Sequence, residues 1–340
     1  MMSTLTPPPP DRRIRAPMQL EVLYHGNCFD GCASAALASR FLRAREGGRI
    51  AGVRFVPLTH GQGDPFAAVA FGGEVNACVD FRFSSSPRLH WWFDHHASAF
   101  PTPEDRAAFE RDGSGQKFWD PKAPSCTGFI ARTVDGRFGW RAEGFEELVR
   151  WADVIDAAAF ESPAQAVQLA EPALQLMTLL EATRDPAVPT RIIEAMAAAR
   201  PLGEIAAAPW AAGPLATILE RHHRAIDVVR ALARIDGGVV AFDLSETGIE
   251  SANKFLSYFL FPEAAYTVVV TRDAKRSKVS VGSNPWARPA RPHDISKLCE
   301  RYGGGGHPVV GAISLPPDRL DDARRVAAEI ASTLRTPPSP

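Results

Sequence analysis

A chain of 340 residues with 45% apolar and 23% charged side chains has the composition of an ordinary folded protein and is long enough for two domains, each with a buried core. Its 38 basic and 39 acidic side chains leave a net charge of −1, so no long-range field gathers extended nucleic acid, and a phosphorylated partner is expected to be short or held by a local site. No apolar run approaches a membrane span. The five cysteines include no Cys-x-x-Cys pair, which argues against a disulfide framework or a four-cysteine zinc site and points to a reducing, cytoplasmic setting.

Residues 1–17 hold four consecutive prolines and three arginines without the apolar stretch of a secretory signal, and read as a disordered head. A first strand at 19–24 (QLEVLY) delivers His25-Gly26-Asn27-Cys28-Phe29-Asp30-Gly31 into an alanine-rich helix running to about Arg45, whose N-terminus favours anions. A second strand at 50–58, a short helix at 65–71, a third strand at 75–81 carrying Asp80 near its end, and a fourth at 89–93 follow. Strands alternating with helices predict an α/β fold with a doubly wound, mainly parallel sheet. The fourth strand empties without a turn residue into Asp94-His95-His96, at the kind of strand end where open α/β sheets collect ligands. The plainer reading makes Asp94 a helix N-cap and the histidines loop residues.

Residues 101–124 read as a long polar loop over the site. Helices are expected at 125–133 and 145–151, the second ending in Ala152-Asp153-Val154-Ile155-Asp156, and prolines then divide 163–234 into short helices. A connecting helix at 215–235 meets Asp236-Gly237-Gly238, a domain boundary. Beyond it the pattern gives strands at 239–244, 266–271, 278–282 and 309–315, helices at 249–260, 294–302 and 320–334, and the block Gly303-Gly304-Gly305-Gly306-His307. The expected organisation is a head (1–17), a metal-binding α/β domain (18–214), a connecting helix (215–235) and a smaller α/β domain (236–335).

His25, Asp30, Asp80, Asp94 and His95 thus gather at three strand ends. Each alone is a cap or a solvated charge; five together suit manganese or magnesium better than structural zinc. A carboxylate shared by two ions, with Asp80 first choice, would set up a two-metal site that activates a water and stabilises phosphoryl charge. Four glycines between a helix and a strand let backbone N–H groups approach a phosphate, with His307 as a further donor; the alternative is a flexible turn, and no Lys-Ser/Thr follows to make a P-loop. His222 and His223 read as a solvated helix face, and Trp91 and Trp92 as core. A soft-metal site of His25, Cys28 and Cys32 carries less weight, with acids all around.

These separated motifs, in this order, resemble the DHH phosphoesterase superfamily, specifically proteins that join a DHH domain to a DHHA1 domain, and the resemblance covers nearly all the chain beyond the head. It implies an N-terminal domain holding two manganese ions, with magnesium or another divalent ion as alternatives, and a second domain gripping substrate across a cleft. Carried over residue by residue, His25, Asp30, Asp80 and His95 would be metal ligands, and Asp94 a ligand or the group orienting His95. His96 would contact the scissile phosphate, and Asp153, with Asp156 as its rival, would be the aspartate after a helix. Ser283, Asn284, Gly304, Gly305, Gly306 and His307 would bind substrate. Two departures stand out: Cys28 occupies a position usually aspartate, leaving its ligand role open, and Gly282-Ser283-Asn284 lacks a frequent arginine. The implied function is manganese-dependent hydrolysis of a short oligonucleotide or cyclic dinucleotide by a metal-activated water. The alternatives are a phosphoanhydride hydrolase acting on polyphosphate or pyrophosphate, and a non-catalytic nucleotide sensor. No membrane partner is expected, and the oligomeric state is left open, a homodimer among the options.

Overall fold

The computed structural model describes residues 16–59, 64–67, 69–249, 252–287 and 293–336, so most of the head lies outside the described residues. Two compact units are formed, one by residues 1–159 and 180–205, the other by 160–179 and 206–340. Segment 160–179 groups with the second unit because Phe160 packs edge-on against Phe255 and its carbonyl accepts from the Trp286 indole.

The elements of the chain up to the second sheet are β1 (Met18–His25), α1 (Phe29–Arg45), β2 (Ile50–Leu58), β3 (Val75–Val79), β4 (Trp91–Asp94), α2 (Pro103–Glu110), β5 (Lys117–Trp119), α3 (Cys126–Phe138), α4 (Glu146–Asp156), α5 (Pro163–Gln168), α6 (Pro172–Ala182), α7 (Ala187–Ala197), α8 (Leu202–Ala206) and α9 (Pro209–Leu232). In the first unit five parallel strands run in the order β2-β1-β3-β4-β5. β3 and β4 are buried along their whole length, as parallel strands covered on both faces are. The strand pleat sends Trp91 toward Phe41 of α1 and Phe138 of α3, and Trp92 the opposite way onto Phe83, Phe100 and Phe109, the last on α2. Both tryptophans are core, as expected. Trp92 is fully buried and its Nε1–H donates to the Phe81 carbonyl at 2.9 Å. Trp92→Ala should therefore cost about 3–5 kcal/mol in a denaturant melt; a loss under about 1 kcal/mol would contradict this packing.

Several elements differ from expectation. The stretch 101–124 holds α2 and the edge strand β5, because Thr102 and Asp105 form a capping box around Pro103 that a polar composition conceals. Residues 65–67 form a turn where a helix was expected, residue 68 lying outside the described set. The connecting helix starts at Pro209 and accommodates Pro214. His222 on α9 is half-buried, its Nε2 bonded to the Val167 carbonyl at 2.7 Å, which corrects the reading of a solvated face.

The second unit contains β6 (Arg234–Asp236), β7 (Val239–Asp243), α10 (Leu256–Leu260), β8 (Tyr266–Arg272), β9 (Ser277–Ser283), α11 (Ile295–Glu300), β10 (Gly305–His307), β11 (Val310–Leu315) and α12 (Leu320–Arg335). The helix expected over 249–260 is reduced to α10, and residues 250–251 lie outside the described set. Six strands run in the order β10-β11-β9-β8-β7-β6, with only β7 and β8 parallel. α12 lays Ala323, Val326, Ala327, Ile330, Ala331 and Leu334 on the core that includes Val268, Val279 and Val281, the three-four spacing of an amphipathic helix.

Candidate metal centre

In the first unit the chain passes from β1 outward to β2, then returns to β3 on the other side of β1. Strand order reverses between β1 and β3, and the carboxyl ends of such adjacent strands leave a crevice for ligands. His25 ends β1 and Asp80 directly follows β3, so both stand at this crevice. Asn27, at φ 56°, turns the chain into α1, and Gly31 allows the first helical turn to lie against the His25 carbonyl, which any side chain there would strike. Asp80 itself has φ 54°, a left-handed conformation uncommon for a residue with a side chain and frequent where function holds it.

Asp30, in the first turn of α1, is fully buried against the N-terminus of α3. Its Oδ2 accepts from the Cys126 N–H at 2.7 Å, and its Oδ1 from the Thr127 N–H at 3.0 Å and hydroxyl at 2.6 Å. A helix N-terminus is a favourable place for a carboxylate. No pattern in the sequence signals these partners.

The two histidines after β4 are oriented by different groups. His95 Nδ1 bonds to the Ala123 carbonyl at 2.9 Å, which fixes the proton there and turns Nε2 inward as a lone-pair donor. Buried Asp94 accepts at Oδ1 from His96 Nδ1 at 2.7 Å and from the backbone N–H groups of His95 and His96 at 2.8 and 3.3 Å. Asp94 is therefore the brace of the His95-His96 corner; the ring it holds is that of His96, rather than that of His95.

His95 Nε2 lies 3.7 Å from Asp30 Oδ2, 3.5 Å from Asp80 Oδ1 and 3.3 Å from Asp156 Oδ2, while His25 Nδ1 lies 3.5 Å from Asp80 Oδ2. Three ligand sets result: His25, Cys28 and Asp80; Asp80, His95 and His96; Asp30, His95 and Asp156. Asp80 belongs to two of them, the position of a shared carboxylate. Asp156, the rival aspartate of α4, joins the cluster, whereas Asp153 accepts from Ser125 Oγ at 2.5 Å and stands 4.0 Å from Arg132. The preference for Asp153 is corrected accordingly.

Both Asp80 oxygens and His95 Nε2 are buried with no hydrogen-bond partner. Buried polar atoms without hydrogen bonds are costly; these face one another only at ion-pair distance, and a cation would satisfy them. Two donors about 2.1 Å from one ion at a right angle stand about 3 Å apart, close to the separations seen here, so the residues fit a divalent ion. The electrostatics agree. Burial pushes the Asp30 carboxyl well above the usual range, with the charges of Asp80 and Asp156 adding to it, and Asp156 is raised by burial and by Asp80. Burial opposes a charge on His95, but Asp80, the Ala123 carbonyl and Asp30 outweigh it and raise its pKa to about 10. The Asp94 hydrogen bond raises His96. For Asp80, burial acts upward, yet His25 and His95 hold the carboxyl below its usual range. The cluster competes for positive charge, which a divalent ion supplies in place of protons.

The candidate residues of the second unit have mixed surroundings. Asn284 is buried, its side chain donating to the Ala264 carbonyl at 2.8 Å and accepting from the Trp286 N–H at 2.9 Å, so its assignment to substrate contact is corrected to a support of the loop. Ser283 Oγ donates to the Val309 carbonyl at 3.1 Å. The N–H groups of Gly303 and Gly304 close α11 on the Glu300 and Cys299 carbonyls at 3.1 and 3.0 Å, which takes them out of the expected phosphate nest. Gly306, at φ 153°, is glycine because a side chain would strike the Val310 carbonyl across the β10–β11 pair. His307 is exposed at the end of edge strand β10.

No family model matches the sequence, and no curated protein sequence matches it. Solved structures do. A pGpG-specific phosphodiesterase from Vibrio cholerae superposes with a TM-score of 0.68 at 17% identity, over 93% of this chain and 99% of that one. The DHH domain of a member of the s1p family of ribosomal proteins gives 0.51 at 12% identity over 94% and 88% of the two chains. RecJ from Thermus thermophilus in complex with Mn2+ gives 0.50 at 14% identity, over 94% of this chain but 53% of RecJ. At these identities the likeness is one of fold alone: this chain is similar in fold to these structures, a DHH domain among them.

Proposed function

We propose that the chain is a metal-dependent phosphoesterase that hydrolyses a small phosphodiester, a short oligonucleotide or cyclic dinucleotide, with manganese as the working ion. The observation that carries the reading is the cluster of buried Asp30 and Asp80, half-buried His95 and more exposed Asp156 at the switch point, with both Asp80 oxygens and His95 Nε2 buried there without a hydrogen-bond partner. Likeness in fold to a pGpG-specific phosphodiesterase along almost its whole length supports the substrate class, and the manganese complex of RecJ supports the ion. A net charge of −1 favours a short substrate over a long polyanion.

His25, Asp30, Asp80, His95 and Asp156 would hold the ions, with Cys28 beside His25 and Asp80. Bound divalent ions supply Lewis-acid stabilisation of phosphoryl charge and a water of lowered pKa. The chain's own residues do the rest. Asp94 fixes the His96 ring through Nδ1 and its hydrogen bond raises the His96 pKa, which favours the protonated ring that would offer Nε2–H to a phosphate oxygen. His307 and the neighbouring Ser283 are the proposed substrate contacts of the second unit. Among the described residues no helix is long and apolar enough to cross a membrane. All five cysteines are unpaired with one another, and a reducing, cytoplasmic setting is part of the proposal.

The test is a hydrolysis panel with added manganese: pGpG, other dinucleotides, cyclic dinucleotides, a 3′,5′-bisphosphonucleoside, polyphosphate and pyrophosphate. Turnover of a dinucleotide or cyclic dinucleotide is expected. Hydrolysis of phosphoanhydrides alone, or of nothing, refutes the proposal. On the active substrate His307→Ala should raise KM about tenfold or more with a smaller effect on kcat, as for a group that binds ground and transition states alike. Equal loss on a small activated ester would place His307 in the chemistry.

A further inference from the structure

We propose that the two cation positions are chemically unlike: His25, Cys28 and Asp80 take a borderline ion such as zinc through a Cys28 thiolate, while Asp30, His95 and Asp156 take a hard ion such as manganese. This rests on the reading of a metal centre and goes beyond it in assigning different ions to its two halves.

Cys28 occupies the N-cap of α1, where serine, threonine, aspartate or asparagine usually bonds the first helical N–H groups, yet its side chain makes no capping bond. The sulfur instead lies within 4.8 Å of a His25 nitrogen and an Asp80 oxygen. Asp80 is 1% exposed and its oxygens lack hydrogen-bond partners, which independently marks the same spot as suited to a cation. One imidazole, one thiolate and one carboxylate form a three-ligand set that leaves a fourth position open, an arrangement suited to zinc and unattractive to manganese or magnesium. The other set contains only carboxylates and an imidazole, with the nearby Asp80 oxygen 3.5 Å from His95 Nε2. Hard ions prefer such oxygen-rich surroundings.

The test uses the full chain, stripped of metal and titrated with Co2+, because a thiolate bound to cobalt gives a sulfur-to-metal charge-transfer band in the near ultraviolet. The wild type should show this band and Cys28→Ser should lose it. Metal analysis after dialysis against equal Zn2+ and Mn2+ should find both metals on the wild type, whereas Cys28→Asp should retain manganese at both positions. Cobalt bound by the wild type without the band, or a band unchanged in Cys28→Ser, overturns the inference while leaving the metal centre intact. A wild type that binds no divalent ion overturns both. Cys28→Asp keeps the test decisive if the serine variant fails to fold.

Discussion

Replacing Asp80 with asparagine is expected to reduce hydrolysis by about a thousandfold or more and to remove bound metal, with the secondary structure unchanged. The expected loss follows from taking a charged ligand from between two ions, where the stabilisation at stake is several kcal/mol. Asparagine is a cleaner probe than alanine because Asp80 has φ 54°, a conformation that asparagine tolerates and alanine resists. The side-chain volume also stays the same, so burial at the end of β3 is preserved. Turnover within tenfold of wild type with both ions retained would remove Asp80 from the centre.

Divalent cations should raise the melting temperature by roughly 5–10 °C, since an ion at a hundredfold its dissociation constant contributes about 2.7 kcal/mol. The rise should be larger at pH 8.5 than at pH 6. His95, raised to about 10, holds a proton more tightly in the fold than in the unfolded chain. Its contribution to the metal-free fold is complete below its ordinary pKa and is lost as pH rises toward 10. Asp30 is raised too, so its proton also favours the fold at low pH and leaves as pH increases. Asp80 is held below the usual range, stays ionised throughout this interval and adds no slope. The metal-free protein therefore weakens with rising pH, while the ion meets less competition from protons. Calorimetry with and without Mn2+ at the two pH values measures the difference; an equal or reversed shift would show that these groups do not bind the ion.

Four of the five strands of the first sheet could be read from the sequence, the inner ones because parallel strands covered on both faces are continuous apolar runs, as in Val75–Val79 and Trp91–Asp94. Its candidate site could be read for the same reason: a run that ends abruptly in Asp94-His95-His96 announces a strand end. What lay hidden depends on contacts between distant residues. Thr127 holds Asp30 across a separation of 97 residues, and Ala123 orients His95 through a carbonyl that every residue possesses. Asp153 and Asp156 are one helical turn apart and indistinguishable by pattern; Ser125 engages one and leaves the other for the cluster. Glycines suggested a phosphate nest in the second unit, yet closing α11 and pairing β10 with β11 need them as well.

The neighbourhood of β1 and β3 has a consequence for how the protein can vary. His25 and Asp80 project from the ends of hydrogen-bonded strands, whose spacing is about 4.8 Å whatever their side chains. Main-chain amides thus act as the ruler that sets the gap between these ligands. Such a ruler is indifferent to which apolar residues fill the sheet, so substitutions can accumulate in the strand interiors without moving the points from which the ligands project. Among the solved structures similar in fold, identity falls to 12%. On the proposed function, specificity would be free to drift in loops and in the second unit without changing the gap between His25 and Asp80.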